Sequence, residues 1–184
     1  MPALLRFAPI LAPVLIAAGL AAPAMAEDCI YSDPTQFYNK MWLCASSTLP
    51  PQGKYDYKVM NLIDDDHATA WCEGVPGDGV GQTLSVRFED GRAEPKRILV
   101  RPGYGRTTET YYNNGRPLAF RVKLSTGAEF TQKIAMTGAW QAIDIERFST
   151  GPESYITLMI SQVAPGEKYH DTCISGLEVD FEGY

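Results

Sequence analysis

Histidine is the scarcest catalytic residue type in this chain, with 2 in 184 residues, His67 and His170. Neither a G-x-S-x-G nucleophile elbow nor an H-E-x-x-H zinc motif is present, which excludes the commonest serine- and zinc-hydrolase signatures. Positive charge is also short. The formal net charge of −6 gives no long-range attraction to phosphate backbones, so nucleic acid is excluded as a partner. Beyond residue 22 no apolar run is long enough to span a bilayer, and a stable membrane anchor is not expected. C-x-x-C spacing is absent, which leaves cysteine-based metal sites without their usual pattern. No solenoid-length repeat or low-complexity tract interrupts the chain.

What is there begins with a targeting segment. Arg6 supplies a positive n-region, residues 7–22 an apolar h-region, and Ala24-Met25-Ala26 an A-x-A cleavage site, so residues 1–26 read as a signal peptide. Pro9, Pro13 and Pro23 interrupt the apolar stretch, and Glu27 and Asp28 stand where a lipidated Cys29 would need small or apolar neighbours. Residues 27–184 are therefore expected to be secreted or periplasmic. Cys29, Cys44, Cys72 and Cys173 all follow the cut, and an even count in an oxidising compartment points to two disulfides. Four cysteines leave three connectivities open.

The remaining length suits one domain with a real core. In "SDPTQFYNKMWLC", Asp33 can cap a helix, Pro34 fits its first position and Gln36 its third. Phe37, Met41 and Trp42 would form its apolar side. The expectation is thus a short helical extension over residues 27–43, lying as a flap on a domain of residues 44–184. From residue 55 onward the period changes to two. "TLSVRFE", "RILVR", "AFRVKL", "FTQKIA", "WQAIDI", "YITLMISQV" and "SGLEVDFE" read as strands, separated by Gly, Pro, Asn and Asp clusters. About eight antiparallel strands of this kind predict an all-β sandwich or jelly roll.

Three segments carry candidate chemistry. In "NLIDDDHATAWCEG", Asp64, Asp66 and Thr69 offer the oxygens that a hard cation such as Ca²⁺ takes, or they form Asx-turns that satisfy backbone N–H groups. An EF-hand is excluded, because counting from Asp64 puts Thr69 at the glycine position and Val75 at the bidentate-glutamate position. His67 and His170 both neighbour acids, in "DDDHAT" and "YHDTC", which allows a zinc pair across two loops against ordinary loop histidines. In "RPGYGRTTETYYNNGR", Tyr104, Tyr111 and Tyr112 offer rings to a sugar, while Asn113, Asn114, Arg101, Arg106 and Arg116 can hydrogen-bond hydroxyls or carboxylates. The plainer reading of that stretch is a hairpin with cross-strand tyrosines and Asn-Gly as its turn. Trp71 and Trp140 read as core residues.

The spacing of Asp64, Asp66, Thr69 and Trp71 is similar to the D-G-D-x-x-T-x-W element of the discoidin, or coagulation factor 5/8 type C, fold. More narrowly, "TAWCEG", "GVGQTLSVRF", "RILVRPGYGRTTETYYNNGRPLAFRVKL" and "YHDTCISGLEV" together resemble the NADase-type glycan-binding domain, a discoidin-like module attached to a bacterial NADase toxin. The resemblance spans residues 44–182. It implies an eight-stranded jelly-roll sandwich that binds glycan through loops at one end, with a structural Ca²⁺ nearby. Carried over by position, it implies Asp64, Asp66, Thr69 and Glu178 as the metal set. It further implies that Cys72 pairs with Cys173, and Cys29 with Cys44. Asp65 departs from the family, standing where glycine is common, and must tolerate a left-handed backbone. The toxin's catalytic portion is missing, so its activity does not transfer.

The expected function is an exported, non-catalytic module that binds a glycan or polysaccharide through Tyr104, Arg106, Tyr111, Tyr112, Asn113, Asn114 and Arg116. The alternative is an exported structural or protein-interaction domain with a protein partner on the same fold. A small periplasmic hydrolase built on the histidines and acids is the third reading.

Overall fold

The computed structural model describes residues 27–91 and 93–181, and the signal peptide read in residues 1–26 lies outside the described residues. Two antiparallel sheets face each other. The larger runs in the order β1 (Asp28–Ser32), β2 (Tyr38–Ala45), β4 (Thr83–Gly91), β9 (Ser154–Ala164), β6 (Arg116–Leu124) and β7 (Glu129–Lys133). The smaller runs β3 (Trp71–Cys72), β10 (Cys173–Asp180), β5 (Arg97–Pro102) and β8 (Gln141–Asp144).

The alternation seen in the sequence decides which faces meet. Leu84, Val86 and Phe88 of β4, Phe120, Val122 and Leu124 of β6, and Ile156, Leu158 and Ile160 of β9 are buried against Ile98, Val100, Ile143, Ile174 and Leu177 of the smaller sheet. Each such side chain contributes about 2 kcal/mol on leaving water. Intervening residues such as Arg87, Arg121 and Lys123 stay exposed.

The N-terminal helix is not formed. Residues 28–45 are two strands of the larger sheet, with β2 paired to β4 and β1 to β2. Met41 packs against the core, and Leu43 and Ala45 are buried in it. Period two therefore governs a stretch whose Phe37–Met41 spacing also fits a helical turn. A single short helix is marginal in water, whereas the strand gains a ladder on both sides. Pro34 falls in the β1–β2 connection, and Phe37 stacks on Phe181 at 5.1 Å.

Both disulfides join directly opposed residues. Cys29 faces Cys44 across β1–β2, and Cys72 faces Cys173 across β3–β10, each with a Cα–Cα distance of 4.1 Å. Beside the second bridge Trp71 is fully buried, its Nε1 donating to the Ser47 carbonyl at 3.0 Å.

Candidate functional site

The acidic segment is a closed loop held by its own backbone. Asp64 Oδ1 accepts from Asp66 N at 3.0 Å, Asp66 Oδ1 accepts from Ala68 N at 2.9 Å, and the Thr69 hydroxyl donates to Asp64 Oδ2 at 2.7 Å. Asp65 takes φ +59°, the left-handed conformation expected at a glycine position. Asn61, buried beneath the loop, donates to the carbonyls of Asp56 and Ala70 at 3.1 and 3.0 Å. This frame presents His67 to solvent. Gly105 lets the neighbouring loop approach, since a β-carbon there would stand 2.8 Å from the His67 carbonyl oxygen.

The tyrosine-rich stretch is a helix rather than a hairpin. Thr107 caps α1 (Thr108–Asn113): its hydroxyl accepts from Thr110 N at 3.0 Å while Thr110 Oγ1 accepts from Thr107 N at 2.8 Å. This reciprocal cap, with threonine in place of the usual glutamate, overrides the Asn-Gly turn signal. Asn114 then closes the helix by donating to the Thr110 carbonyl at 2.8 Å.

The helix sorts the sugar candidates. Tyr112 is 46% exposed. Tyr104 is buried edge-on against Tyr57 at 6.3 Å. Arg116 is only 4% exposed, donates to the Tyr111 carbonyl at 2.6 Å, and lies 5.1 and 5.3 Å from the rings of Tyr111 and Tyr112, so it supports them from below. Tyr111 is partly buried, and burial pushes its phenol above the ordinary range. Arg106 is exposed and stacks on Tyr55 at 4.5 Å. The Asn113 carbonyl accepts from Lys168 N and Tyr169 N, tying α1 to the loop before β10.

A concavity of about 410 Å³ opens beside α1, bordered by His67, Arg101, Tyr111, Tyr112 and Gly138. His67 and Arg101 also border a larger groove of about 720 Å³ that contains Trp140 and Glu178. Arg101 Nε donates to the Gly138 carbonyl at 3.1 Å, and its guanidinium lies 5.4 Å from the Trp140 ring. Its remaining N–H groups and the His67 ring have no partner among the described residues. Trp140 is 39% exposed, which corrects the core reading. The available signal was the run of small residues in "MTGAW", which leaves an aromatic unpacked at a strand's start.

The metal expectation can be set against this geometry. Thr69 Oγ1 donates to Asp64 Oδ2 at 2.7 Å and is 2.8 Å from the Asp66 carbonyl, so hydrogen bonds gather these oxygens at one turn; they are hard donors of the kind Ca²⁺ takes. Glu178 is exposed on β10 and does not join them in a cluster of three acidic ligands; among the described residues only Glu27, Cys29 and Cys44 cluster that closely, and both cysteines are in a disulfide. His170 bonds Asp78 through Nδ1 at 3.0 Å, whereas His67 faces the concavity, so the histidines serve different loops.

A discoidin-like β-sandwich with its loops gathered around this concavity is the class these features define. Residues 37–182 match the family model of the NAD glycohydrolase translocation F5/8 type C domain, and the chain belongs to that family. Among solved structures, it is similar to the family 32 carbohydrate-binding module of C. perfringens NanJ in complex with galactose, at 21% identity over 76% of this chain and 92% of that one, TM-score 0.53. A Clostridium perfringens module, CpGH89CBM32-5, in complex with GalNAc-β-1,3-galactose, shares 16% identity over 76% and 94%, TM-score 0.55. The mycobacterial arabinofuranosyltransferase AftD shares 16% identity over 85% of this chain and 11% of that one, TM-score 0.59. Comparison with curated proteins finds no match. At such identities the likeness fixes the fold and leaves the ligand to the site's own chemistry.

Proposed function

We propose that the protein is an exported, non-catalytic glycan-binding module whose sugar site is formed by Arg101, His67, Trp140 and Tyr112. The observation that carries this reading is the pairing of unpartnered donors with exposed rings: Arg101 and His67 border both the concavity beside α1 and the adjoining larger groove, with Tyr112 at the first and Trp140 at the second. A pyranose has one apolar C–H face and a rim of hydroxyls. An indole takes the face, and a planar guanidinium takes adjacent hydroxyls or a carboxylate. All four cysteines are in disulfides, which leaves no thiol nucleophile and suits an oxidising compartment. No helix among the described residues is long and apolar enough to cross a membrane.

Asp64, Asp66 and Thr69 would hold a Ca²⁺, which when bound adds rigidity to the loop carrying His67. Galactose-type sugars are the first ligands to test, given what the two clostridial modules bind, followed by uronate-containing polysaccharides that would engage Arg101 through a carboxylate. Isothermal titration of the mature chain should show saturable binding that Arg101→Ala abolishes with the circular dichroism spectrum unchanged. Failure of a folded wild-type chain to bind any member of a broad glycan array removes the proposal.

A further inference from the structure

The smaller sheet turns one face to the core, and its register fixes what the other face carries. Ile98 and Val100 of β5 and Leu177 of β10 are in the core, so the residues between them point outward. They form cross-strand rows over β8, β5 and β10. Arg101 pairs with Gly176, on which the Trp140 ring rests; Leu99 stands between Ala142 and Glu178; Arg97 stands between Asp144 and Asp180. Every outward residue of β5 and β10 in these rows borders the groove of about 720 Å³. The groove therefore continues from the Trp140–Arg101 end down the sheet to Arg97, about 13 Å at the rise of a strand. One pyranose ring covers less than half of that length.

Building on the sugar site proposed above, we propose that its ligand is a run of linked neutral sugars, laid along the outer face of β5 and β10, rather than a single sugar residue. The second row supplies what a further pyranose needs. Leu99 is half-buried yet outside the core cluster, and Ala142 beside it is small and exposed, so a C–H face can lie across them. Glu178 is exposed without a hydrogen-bond or ion-pair partner among the described residues, which leaves its carboxylate to accept from sugar hydroxyls. The last row closes the groove with Arg97, held 3.0 Å from Asp180 and 4.0 Å from Asp144. Charge decides against a polyuronate. Beyond Arg101, the acids Glu178, Asp144 and Asp180 face a single cation, Arg97, so a carboxylate on each successive sugar would meet net repulsion.

Isothermal titration of the mature chain tests this with mono- to tetrasaccharide ladders of β-galactan, cellulose, β-mannan and polygalacturonate. At least one neutral ladder should gain about tenfold or more in affinity from mono- to trisaccharide, and the polygalacturonate ladder should show no such gain. Ala142→Arg, at an exposed position, fills the second row, and Glu178→Ala, also exposed, removes its acceptor. Each should erase the gain with length and leave monosaccharide affinity unchanged, with the thermal midpoint as the check on folding. Arg101→Ala should abolish binding at every length. A monosaccharide that binds as tightly as its trisaccharide, a gain confined to polygalacturonate, or a gain that survives both Ala142→Arg and Glu178→Ala overturns the proposal and leaves the sugar site standing. Failure of every neutral ladder, with a binder found elsewhere on the glycan array, also overturns it alone. An array without any binder removes the sugar site and this groove together.

Discussion

The six-membered ring of Trp140 rests on Gly176: a β-carbon at that glycine would run into the Cη2, Cζ2 and Cζ3 atoms of the indole. The glycine on β10 is thus what lets a ring at the start of β8 lie over the sheet, beside the Arg101 guanidinium. Two substitutions should therefore weaken sugar binding alike. Trp140→Ala removes the ring, and Gly176→Val displaces it. Each is expected to cost at least about tenfold in affinity, or 1.4 kcal/mol, by titration calorimetry. Trp140→Ala should leave the thermal midpoint nearly unchanged because the ring is substantially exposed. A Gly176→Val protein that binds as well as wild type would show that the indole is not part of the site.

The strands were legible because one face of each is buried, and burial imposes period two on residues such as Leu84, Val86 and Phe88. The same logic was available for Met41, Leu43 and Ala45, but a helix cap at Asp33 and Pro34 offered a competing local pattern that only pairing with β4 resolves. At α1 the local signal was the stronger one, since Thr107 and Thr110 cap each other, and the Asn-Gly pair after it is merely the helix's exit. The proposed sugar site was the least legible part. Arg101, His67 and Trp140 lie on three separate segments, and what joins them is the absence of side chains at Gly105 and Gly176, a property of space rather than of sequence neighbours.

The two disulfides should differ in what they hold. Cys29–Cys44 closes a separation of 15 residues and Cys72–Cys173 one of 101. The loop-entropy model assigns about 3 kcal/mol to the first and about 4.7 to the second. Urea unfolding of the two double-serine variants should therefore place the Cys72/Cys173 protein below the Cys29/Cys44 protein by roughly 1.7 kcal/mol. Equal losses, or the reverse order, would mean that native packing around Trp71 rather than chain entropy sets the contribution.

Chelation tests the acidic loop. If Asp64, Asp66 and Thr69 hold Ca²⁺ in the folded chain only, ion at about a hundredfold excess over its dissociation constant adds roughly 2.7 kcal/mol. EDTA should then lower the melting midpoint by several degrees, and excess Ca²⁺ should restore it. Asp64→Asn should abolish the response by removing a ligand charge. Superimposable melting curves with and without chelator would mean that the Asx-turns alone complete the loop.

Glu73 gives the protein an uncommon pH dependence. Its side chain is wholly buried next to the Cys72–Cys173 bridge, with Oε2 accepting from Val75 N at 2.8 Å and Oε1 from Thr172 N at 3.2 Å. Desolvation raises its pKa above the ordinary glutamate range, and the charges of Asp171 and Asp78 add to this, while the two backbone donors act in the opposite direction. Burial raises Asp171 as well. A raised folded-state pKa means that the native protein retains a proton the unfolded chain has released. The resulting stability is complete below the unfolded value, about 4.3 for glutamate, and is lost as pH rises through the folded value. Asp56 is lowered, but it is exposed and its contribution is screened. The melting midpoint is thus expected to decline from pH 5 toward neutrality, and Glu73→Gln, which has no proton to release, should flatten that decline whatever its absolute stability. Carbon-detected NMR of the Glu73 carboxyl should show a titration midpoint above that of the exposed glutamates. A midpoint at or below theirs, together with equal pH slopes for the two proteins, would falsify the assignment.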